Sequence, residues 1–300
     1  MKKLLLVLLI PWVSYGQTAD EFLISGKEKA DLRAHAEAIV DFTKAIELAP
    51  ENADAYYFRG YSEYKSRDYN KAIEDLSKTV ALDVDYSSAY FRRGLSKFKL
   101  RDYTGAIEDF TRTIELTPDV VAYINRGSAK TKLKDYQGTI ADLSLALELD
   151  PKNTGVYISR GNAKLKLKDT AGALDDYTKV IVLNPEKPDA YIKRGNIQVT
   201  LKEYNSAIAD FSKAIEIKSD NADVFYKRGI AKTKLEDYKG AITDYTESIM
   251  LDSTYTYGYS ERGIARENIE DFEGACEDWR KAASLGHYAS AQWVKDSCNK

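Results

Sequence analysis

An arginine stands directly before a glycine at a nearly constant interval along this 300-residue chain, and guanidinium groups are suited to binding anions. The seven arginines are Arg59, Arg93, Arg126, Arg160, Arg194, Arg228 and Arg262. Aspartates recur at the same interval, at Asp41, Asp75, Asp109, Asp142, Asp176, Asp210, Asp244 and Asp278. The arginines could receive anionic ligands, or they could form a structural ladder of Arg–Asp pairs. We favour the ladder, because a binding site rarely needs identical residues in every unit.

Few other residues have the types and spacing that catalysis or metal binding requires. The two histidines, His35 and His287, and the two cysteines match no spacing of zinc ligands. Acidic pairs such as Asp175-Asp176 occupy consecutive helical positions, so their carboxylates point in different directions. No glycine-rich loop follows a strand, so nucleotide-binding fingerprints are absent. We therefore expect no enzyme activity, no cofactor and no metal site.

The elements that position these residues repeat about every 34 residues. The repeated glycines are Gly26, Gly60, Gly94, Gly127, Gly161, Gly195, Gly229 and Gly263. An aromatic residue precedes each glycine, and a small and then a large apolar residue follow it, so that two amphipathic helices form in each unit. Asp68 and its equivalents are predicted N-caps of the second helix. Glycines before an alanine, as at Gly105, are expected to let the two helices approach closely.

This pattern resembles the tetratricopeptide repeat, in its exported bacterial form. The resemblance implies an all-α superhelical solenoid of antiparallel helix pairs, because neither helix can bury its apolar face alone. The predicted units are 19–52, 53–86, 87–119, 120–153, 154–187, 188–221, 222–255 and 256–289. The chain departs from the family pattern in two places. Arginine replaces the leucine before the glycine, and the tyrosine three residues after it is replaced by Glu63, Lys97, Lys130, Lys164, Gln198, Lys232 and Arg266.

A capping helix is predicted at residues 288–298, after a turn at Gly286-His287. This turn lies midway between Cys276 and Cys298, so a chain that returns on itself brings the two cysteines together. An exported protein would keep such a disulfide. The alternative is two buried thiols that act as small apolar side chains.

The resemblance also implies that the first helix of each unit lines a concave surface, where residues that differ between units are candidates for partner binding. The aromatic candidates are Tyr57, Tyr61, Tyr64, Phe91 and Phe98. The polar candidates are Asn125, Asn162 and Asn196. These residues could contact an extended ligand. Alternatively, the aromatic residues pack between neighbouring first helices, and the polar residues face solvent.

Residues 1–16 are typical of a secretory signal peptide. Two lysines precede an apolar run from Leu4 to Val13, and small residues flank a predicted cleavage before Gln17. The alternative is an uncleaved anchor. The chain has 47 acidic and 44 basic residues, with a net charge of −3 and no long basic block, so nucleic acid and anionic membrane surfaces are poor partners. We expect the protein in the periplasm or cell envelope, with secretion left open.

These features predict an exported, non-catalytic scaffold that binds a protein or peptide in a concave groove. Two other roles remain open, namely a structural or self-assembling envelope protein and an accessory subunit of an envelope enzyme or assembly complex. No integral membrane segment is expected after signal cleavage.

Overall fold

The computed structural model describes residues 17–298, so the signal peptide predicted at residues 1–16 lies outside the described residues. The described chain folds into seventeen α-helices without a strand, which confirms the all-α prediction. It divides into two compact units, of which the first ends at Asp135 and the second begins at Tyr136.

In its described part, the first unit contains seven helices. They are α1 (Ala19–Asp31), α2 (His35–Leu48), α3 (Ala53–Lys65), α4 (Tyr69–Leu82), α5 (Ser87–Lys99), α6 (Tyr103–Leu116) and α7 (Val120–Lys132).

The described part of the second unit contains ten helices. They are α8 (Tyr136–Leu149), α9 (Thr154–Lys166), α10 (Thr170–Leu183), α11 (Pro188–Thr200), α12 (Tyr204–Ile217), α13 (Ala222–Lys234), α14 (Tyr238–Leu251), α15 (Thr256–Glu267), α16 (Phe272–Ser284) and α17 (Tyr288–Ser297).

Within each unit, consecutive helices pack against each other in pairs such as α3–α4, α5–α6 and α13–α14. We call the odd-numbered helices from α1 to α15 first helices and the even-numbered helices from α2 to α16 second helices. The first helices begin at residues 19, 53, 87, 120, 154, 188, 222 and 256, which are the first residues of the predicted units. Within a unit, successive first helices such as α3 and α5 also touch, so neighbouring pairs there bury their apolar faces against each other.

The turn inside each pair has a repeated local structure. A residue with positive φ precedes the N-cap, for example Arg101 with φ 65°. The carboxylate of Asp102 then accepts a hydrogen bond from the backbone N–H of Gly105 at 2.9 Å, which satisfies one free donor of α6. The prediction of such N-caps is wrong at Glu203, whose side chain forms no capping bond.

Gly105 has a different role from the predicted one. A Cβ at this position would collide with the capping carboxylate of Asp102, so the small residue makes room for the cap. The close approach of the two helices depends instead on the repeated glycine of the first helix. A Cβ on Gly94 would lie 2.8 Å from the ring of Phe110, which is fully buried on α6.

Helix α17 lies within residues 288–298, the segment predicted to form a capping helix. It packs against α16, where the rings of Trp279 and Trp293 lie 5.4 Å apart. Cys276 on α16 and Cys298 after α17 are joined by a disulfide, with their Cα atoms 5.6 Å apart. The Arg280 guanidinium donates a hydrogen bond to the Cys298 carbonyl at 3.2 Å, which further ties the chain end to α16.

Candidate partner-binding surface

Six of the repeated arginines form ion pairs with the repeated aspartate of the same helix pair. Arg93 on α5 donates from Nη2 to Asp109 Oδ1 on α6 at 2.6 Å and from Nε to Oδ2 at 3.0 Å. The same two-bond pairing joins Arg59–Asp75, Arg160–Asp176, Arg194–Asp210, Arg228–Asp244 and Arg262–Asp278. Two parallel bonds to one carboxylate are the strong geometry for this pair. We call this set of pairs the Arg–Asp ladder.

Each ladder arginine also bonds to the preceding helix pair. Arg93 Nη1 donates to the Ser77 hydroxyl on α4 at 3.1 Å, and Arg228 Nη1 donates to the Ser212 hydroxyl on α12 at 3.0 Å. The Arg93 guanidinium also lies 5.4 Å from the centroid of the Tyr90 ring, one turn earlier on α5. The guanidinium groups therefore hold neighbouring second helices together, which supports the structural interpretation over a row of anion sites.

A lysine or arginine four residues further along the first helix adds a second cation to the carboxylate. Lys97 Nζ lies 2.9 Å from Asp109 Oδ2, and Arg266 Nη1 lies 3.0 Å from Asp278 Oδ2. Lys164 and Lys232 make the same contact with Asp176 and Asp244. On α3 this position holds Glu63 instead. The sequence displayed that change of sign, but its meaning depends on the carboxylate of the second helix, which only the fold places opposite.

Four of the predicted aromatic candidates pack against other rings of the first unit. Tyr57 lies 4.8 Å from Tyr86, and Phe91 lies 5.7 Å from Phe110, measured between ring centroids. Similar contacts pair Tyr64 with Tyr69 and Phe98 with Tyr103. All four candidates are half-buried, so the structure favours the packing interpretation for most of their surface.

Tyr61 differs from these four because its neighbours are basic. Its half-buried ring lies 4.9 Å from the Arg92 guanidinium on α5 and 5.3 Å from the Lys65 ammonium on α3. His35, at the start of α2, meets the ring edge-on at 6.4 Å, and the pKa of His35 is lowered by burial and by the nearby charges of Lys65 and Arg33. We call Tyr61, Lys65 and Arg92 the Tyr61 surface.

The two cations of the Tyr61 surface are not neutralised by carboxylates of the described part of the chain. Neither Lys65 nor Arg92 takes part in an ion pair within the described residues, whereas every ladder arginine described above is bound to an aspartate. Sequence reasoning found Tyr61 but missed Arg92, which stands one residue before the repeated Arg93 at a position that varies between units.

The three asparagine candidates do not form one site. The Asn125 amide donates to the Val121 carbonyl of its own helix at 2.7 Å. Asn162 Oδ1 accepts bonds from the Tyr177 hydroxyl at 2.9 Å and from Lys193 Nζ at 3.2 Å. Asn196 is half-buried on α11. Two of the three amides therefore already have partners inside the protein.

The described residues contain no group of three or more His, Cys, Asp or Glu side chains arranged to hold a metal ion. Among the helices between residues 17 and 298, none has the length and apolar character to cross a bilayer.

Models of the tetratricopeptide repeat match just over half of the chain. A model described as TPR repeat matches residues 195–235, and one described as tetratricopeptide repeat matches residues 25–87 and 91–154. No curated protein sequence matches the chain significantly.

Several solved structures share the fold. The C-terminal part of a TPR repeat-containing protein from Cytophaga hutchinsonii has a TM-score of 0.70 at 18% identity, covering 79% of this chain and 98% of its own. YrrB, described as a TPR protein with an unusual peptide-binding site, has a TM-score of 0.56 at 21% identity, with coverages of 63% and 99%. MamA has a TM-score of 0.53 at 22% identity, with coverages of 59% and 94%. At these identities the likeness shows the fold, and with the matching family models it establishes that the chain belongs to the tetratricopeptide repeat family.

Proposed function

We propose that this protein is an exported, non-catalytic scaffold of eight tetratricopeptide units that binds a protein or peptide through its first helices. The observation that carries the proposal is the Tyr61 surface, where an aromatic ring contacts two cations that have no carboxylate partner among the described residues. Aromatic rings and arginines are the side chains that most often anchor protein partners.

The surroundings of the Tyr61 surface fit a partner segment that carries acidic and apolar groups. On the neighbouring part of α3, Phe58 lies under the Lys27 ammonium at 4.1 Å, and the same ammonium is 3.6 Å from Asp54. A carboxylate of the partner would add to the cations at Lys65 and Arg92, and an apolar side chain would cover the Tyr61 ring.

Two further observations support the proposal. The fold is that of YrrB, whose description names a peptide-binding site, although the identity of 21% transfers no residue role. The basic and apolar pattern of residues 1–16 supports export to the periplasm or cell envelope.

Site-directed photo-crosslinking in the native host tests the binding surface. A photoreactive phenylalanine would replace Tyr61 or Arg92 on the first helices and, in matched controls, the exposed residues Lys78 or Glu108 on second helices. We expect one shared crosslinked product from positions 61 and 92 and none from positions 78 and 108. Products from the second-helix positions alone would contradict the proposal, and a product that is a second copy of this chain would favour self-assembly.

The N-terminus of the native protein tests export. Mass spectrometry should find a chain that begins at Gln17 or within a few residues of it. Recovery of intact Met1 from a soluble cytosolic fraction would contradict this part of the proposal.

A further inference from the structure

One position of the Arg–Asp ladder carries a carboxylate in the α3–α4 pair, whereas five other helix pairs carry a cation there and the α11–α12 pair carries Gln198. In the pairs α1–α2, α5–α6, α9–α10, α13–α14 and α15–α16, this position is basic and contacts the second-helix aspartate; the residues are Lys29, Lys97, Lys164, Lys232 and Arg266. In the α3–α4 pair the position holds Glu63, and Asp75 receives bonds only from Arg59 among these ladder residues.

The basic residues show what the position is built to hold. Lys97 Nζ contacts Asp109 Oδ2 at 2.9 Å and donates to the backbone carbonyl of Gly105 in the first turn of α6 at 3.4 Å. Lys164 repeats both contacts, with Asp176 at 3.0 Å and the Gly172 carbonyl at 3.2 Å. The carboxylate and the carbonyl together form a cradle for an ammonium group. In the α3–α4 pair, the equivalent groups belong to Asp75 and to the backbone of Lys71.

Glu63 leaves this cradle without its cation and adds a second carboxyl group to it. The glutamate side chain is shorter than lysine, and the α3–α4 pair contains a cavity of about 340 Å³ that is lined by Glu63, Asp75 and Arg59. Only 6% of Glu63 is exposed, and its Oε2 atom has no hydrogen-bond partner. An unsatisfied buried carboxyl oxygen is unfavourable unless a ligand or a proton compensates it.

We propose that this cavity binds a primary ammonium group, which takes the place that a lysine side chain occupies in the α5–α6, α9–α10 and α13–α14 pairs. The ammonium group contacts the carboxylates of Asp75 and Glu63 and the Lys71 carbonyl. Its source is a lysine side chain of a partner or a free amine, since both present the same group. The site is separate from the Tyr61 surface and does not depend on the proposed function.

Protonation of Glu63 competes with this ligand. Burial and, to a smaller extent, the nearby Asp75 carboxylate raise the pKa of Glu63 to about 8, although Arg59 opposes the shift. The Asp68 carboxylate also raises the pKa of Glu63, and the Lys71 ammonium lowers it. Glu74 lines the cavity as well. Helix α2 contributes the uncharged side chains of Ile39 and Thr43 to the cavity. The ammonium group therefore binds best at a pH at which Glu63 has lost its proton.

Titration of the chain from Gln17 to Lys300 with n-butylammonium chloride tests the site. We expect binding, followed by calorimetry and by the ¹³C signal of the Glu63 carboxyl group, to be at least tenfold tighter at pH 9 than at pH 6. The reason is that the deprotonated fraction of Glu63 rises steeply across this range. Tetramethylammonium chloride at equal ionic strength should not bind, because it has no N–H group. Equal effects of the two salts would overturn the proposal.

Variants at position 63 separate the site from general electrostatics. Glu63→Gln should weaken butylammonium binding at least tenfold at pH 9 and remove its pH dependence. Glu63→Lys should abolish binding, because the new side chain occupies the cradle as Lys97 does, and its circular dichroism and thermal melt should show a folded protein. Gln198→Lys, at the same register in the second unit, is the matched control and should leave binding unchanged. Wild-type affinity in both Glu63 variants would overturn the proposal.

The source of the ammonium group is distinguished by two further probes. Binding of Nα-acetyl-lysine methylamide as tight as that of butylammonium would support a lysine side chain of a partner. If spermidine, and not the lysine derivative, bound more tightly than butylammonium, the result would support a free amine as the source. Failure of all three amines to bind would overturn the proposal, whatever the outcome at the Tyr61 surface.

Discussion

The Arg–Asp ladder and the Tyr61 surface lie on the same helices but use their charges in opposite ways. Arg93 is bound to Asp109, to Ser77 and to the ring of Tyr90, and its side chain is only 16% exposed. Its direct neighbour Arg92 contacts the rings of Tyr61 and Phe91 and has no carboxylate partner among the described residues. We therefore assign a structural role to Arg93 and propose a recognition role for its neighbour Arg92.

The difference teaches how to separate packing from recognition in a repeated fold. A residue that recurs in every unit solves the problem that recurs in every unit, which is holding two helices and their neighbours together. A residue that occurs once has no such constraint. Tyr61, Arg92 and Glu63 all belong to this second class. Arg92 has no carboxylate partner among the described residues, and Glu63 Oε2 has no hydrogen-bond partner.

Removal of a ladder carboxylate should have the largest effect on stability. Asp109→Ala leaves the cations of Arg93 and Lys97 without their partner at a site where the aspartate side chain is 4% exposed. We expect a loss of about 3 kcal/mol in the free energy of unfolding, measured by urea denaturation. The adjacent and exposed Glu108→Ala should change it by less than about 0.5 kcal/mol. Equal effects of the two variants would mean that the ladder does not hold the helices.

The disulfide at the end of the second unit should contribute almost as much. Cys276 and Cys298 are 22 residues apart, and opening a loop of this size should cost about 3 kcal/mol of stability. The Cys276→Ala/Cys298→Ala double variant should therefore unfold at lower urea concentration. Alkylation of the unreduced, denatured protein should modify neither cysteine. Modification of two thiols would contradict the disulfide and favour the buried-thiol alternative.

Two glycines on α9 provide a matched comparison between a packing position and a free one. A Cβ on Gly161 would lie 2.9 Å from the Tyr177 ring, whereas a Cβ on the exposed Gly155 would meet nothing closer than 3.4 Å. Gly161→Ala should destabilise the protein by about 2 kcal/mol through overpacking. Gly155→Ala should stabilise it by up to about 1 kcal/mol, because alanine favours the helix. The reverse order in thermal melts would show that close packing does not explain the repeated glycine.

Glu63 should give the α3–α4 pair a pH dependence that the ladder pairs with a lysine lack. Because the pKa of Glu63 is raised to about 8 from 4.5, the native state binds the proton more tightly than the unfolded state does. The resulting stabilisation is present below pH 4.5 and is lost as the pH rises through about 8. We expect the stability of Glu63→Gln relative to the wild type to rise between pH 5 and pH 9 in urea denaturation. Parallel pH profiles of the two proteins would contradict the shifted pKa.

Much of this architecture could be predicted because its causes are local and repeated. The interval of the glycines and the apolar spacing around Phe110 identify the helix pairs, and the recurrence of Arg93 and Asp109 equivalents predicts a ladder. The sequence could not show how the ladder arginine also reaches Ser77, since that contact joins two helix pairs. The prediction that Gly105 lets the two helices approach closely is wrong, because the position of the Asp102 carboxylate depends on the turn geometry.

The candidate site was less predictable, since its causes are neither local nor repeated. The sequence does not distinguish the aromatic residues of α3 and α5 from one another. In the fold, however, Tyr57 and Phe91 pack against other rings. Among the aromatic candidates, all of which lie in the described part of the chain, Tyr61 alone meets cations from two different first helices. A pattern within one unit cannot display a contact of this kind.

We propose that the Tyr61 surface serves recognition, whereas the Arg–Asp ladder serves the fold. The most direct test measures stability and partner affinity in the same two variants, Tyr61→Ala and Asp109→Ala, with the partner purified from the crosslinked product. We predict that Tyr61→Ala weakens binding by about 1–3 kcal/mol and changes the free energy of unfolding by less than about 1 kcal/mol. Asp109→Ala should show the opposite balance. The account would be contradicted if Tyr61→Ala lowered stability as much as it weakened binding, because Tyr61 would then be a packing residue like its neighbours.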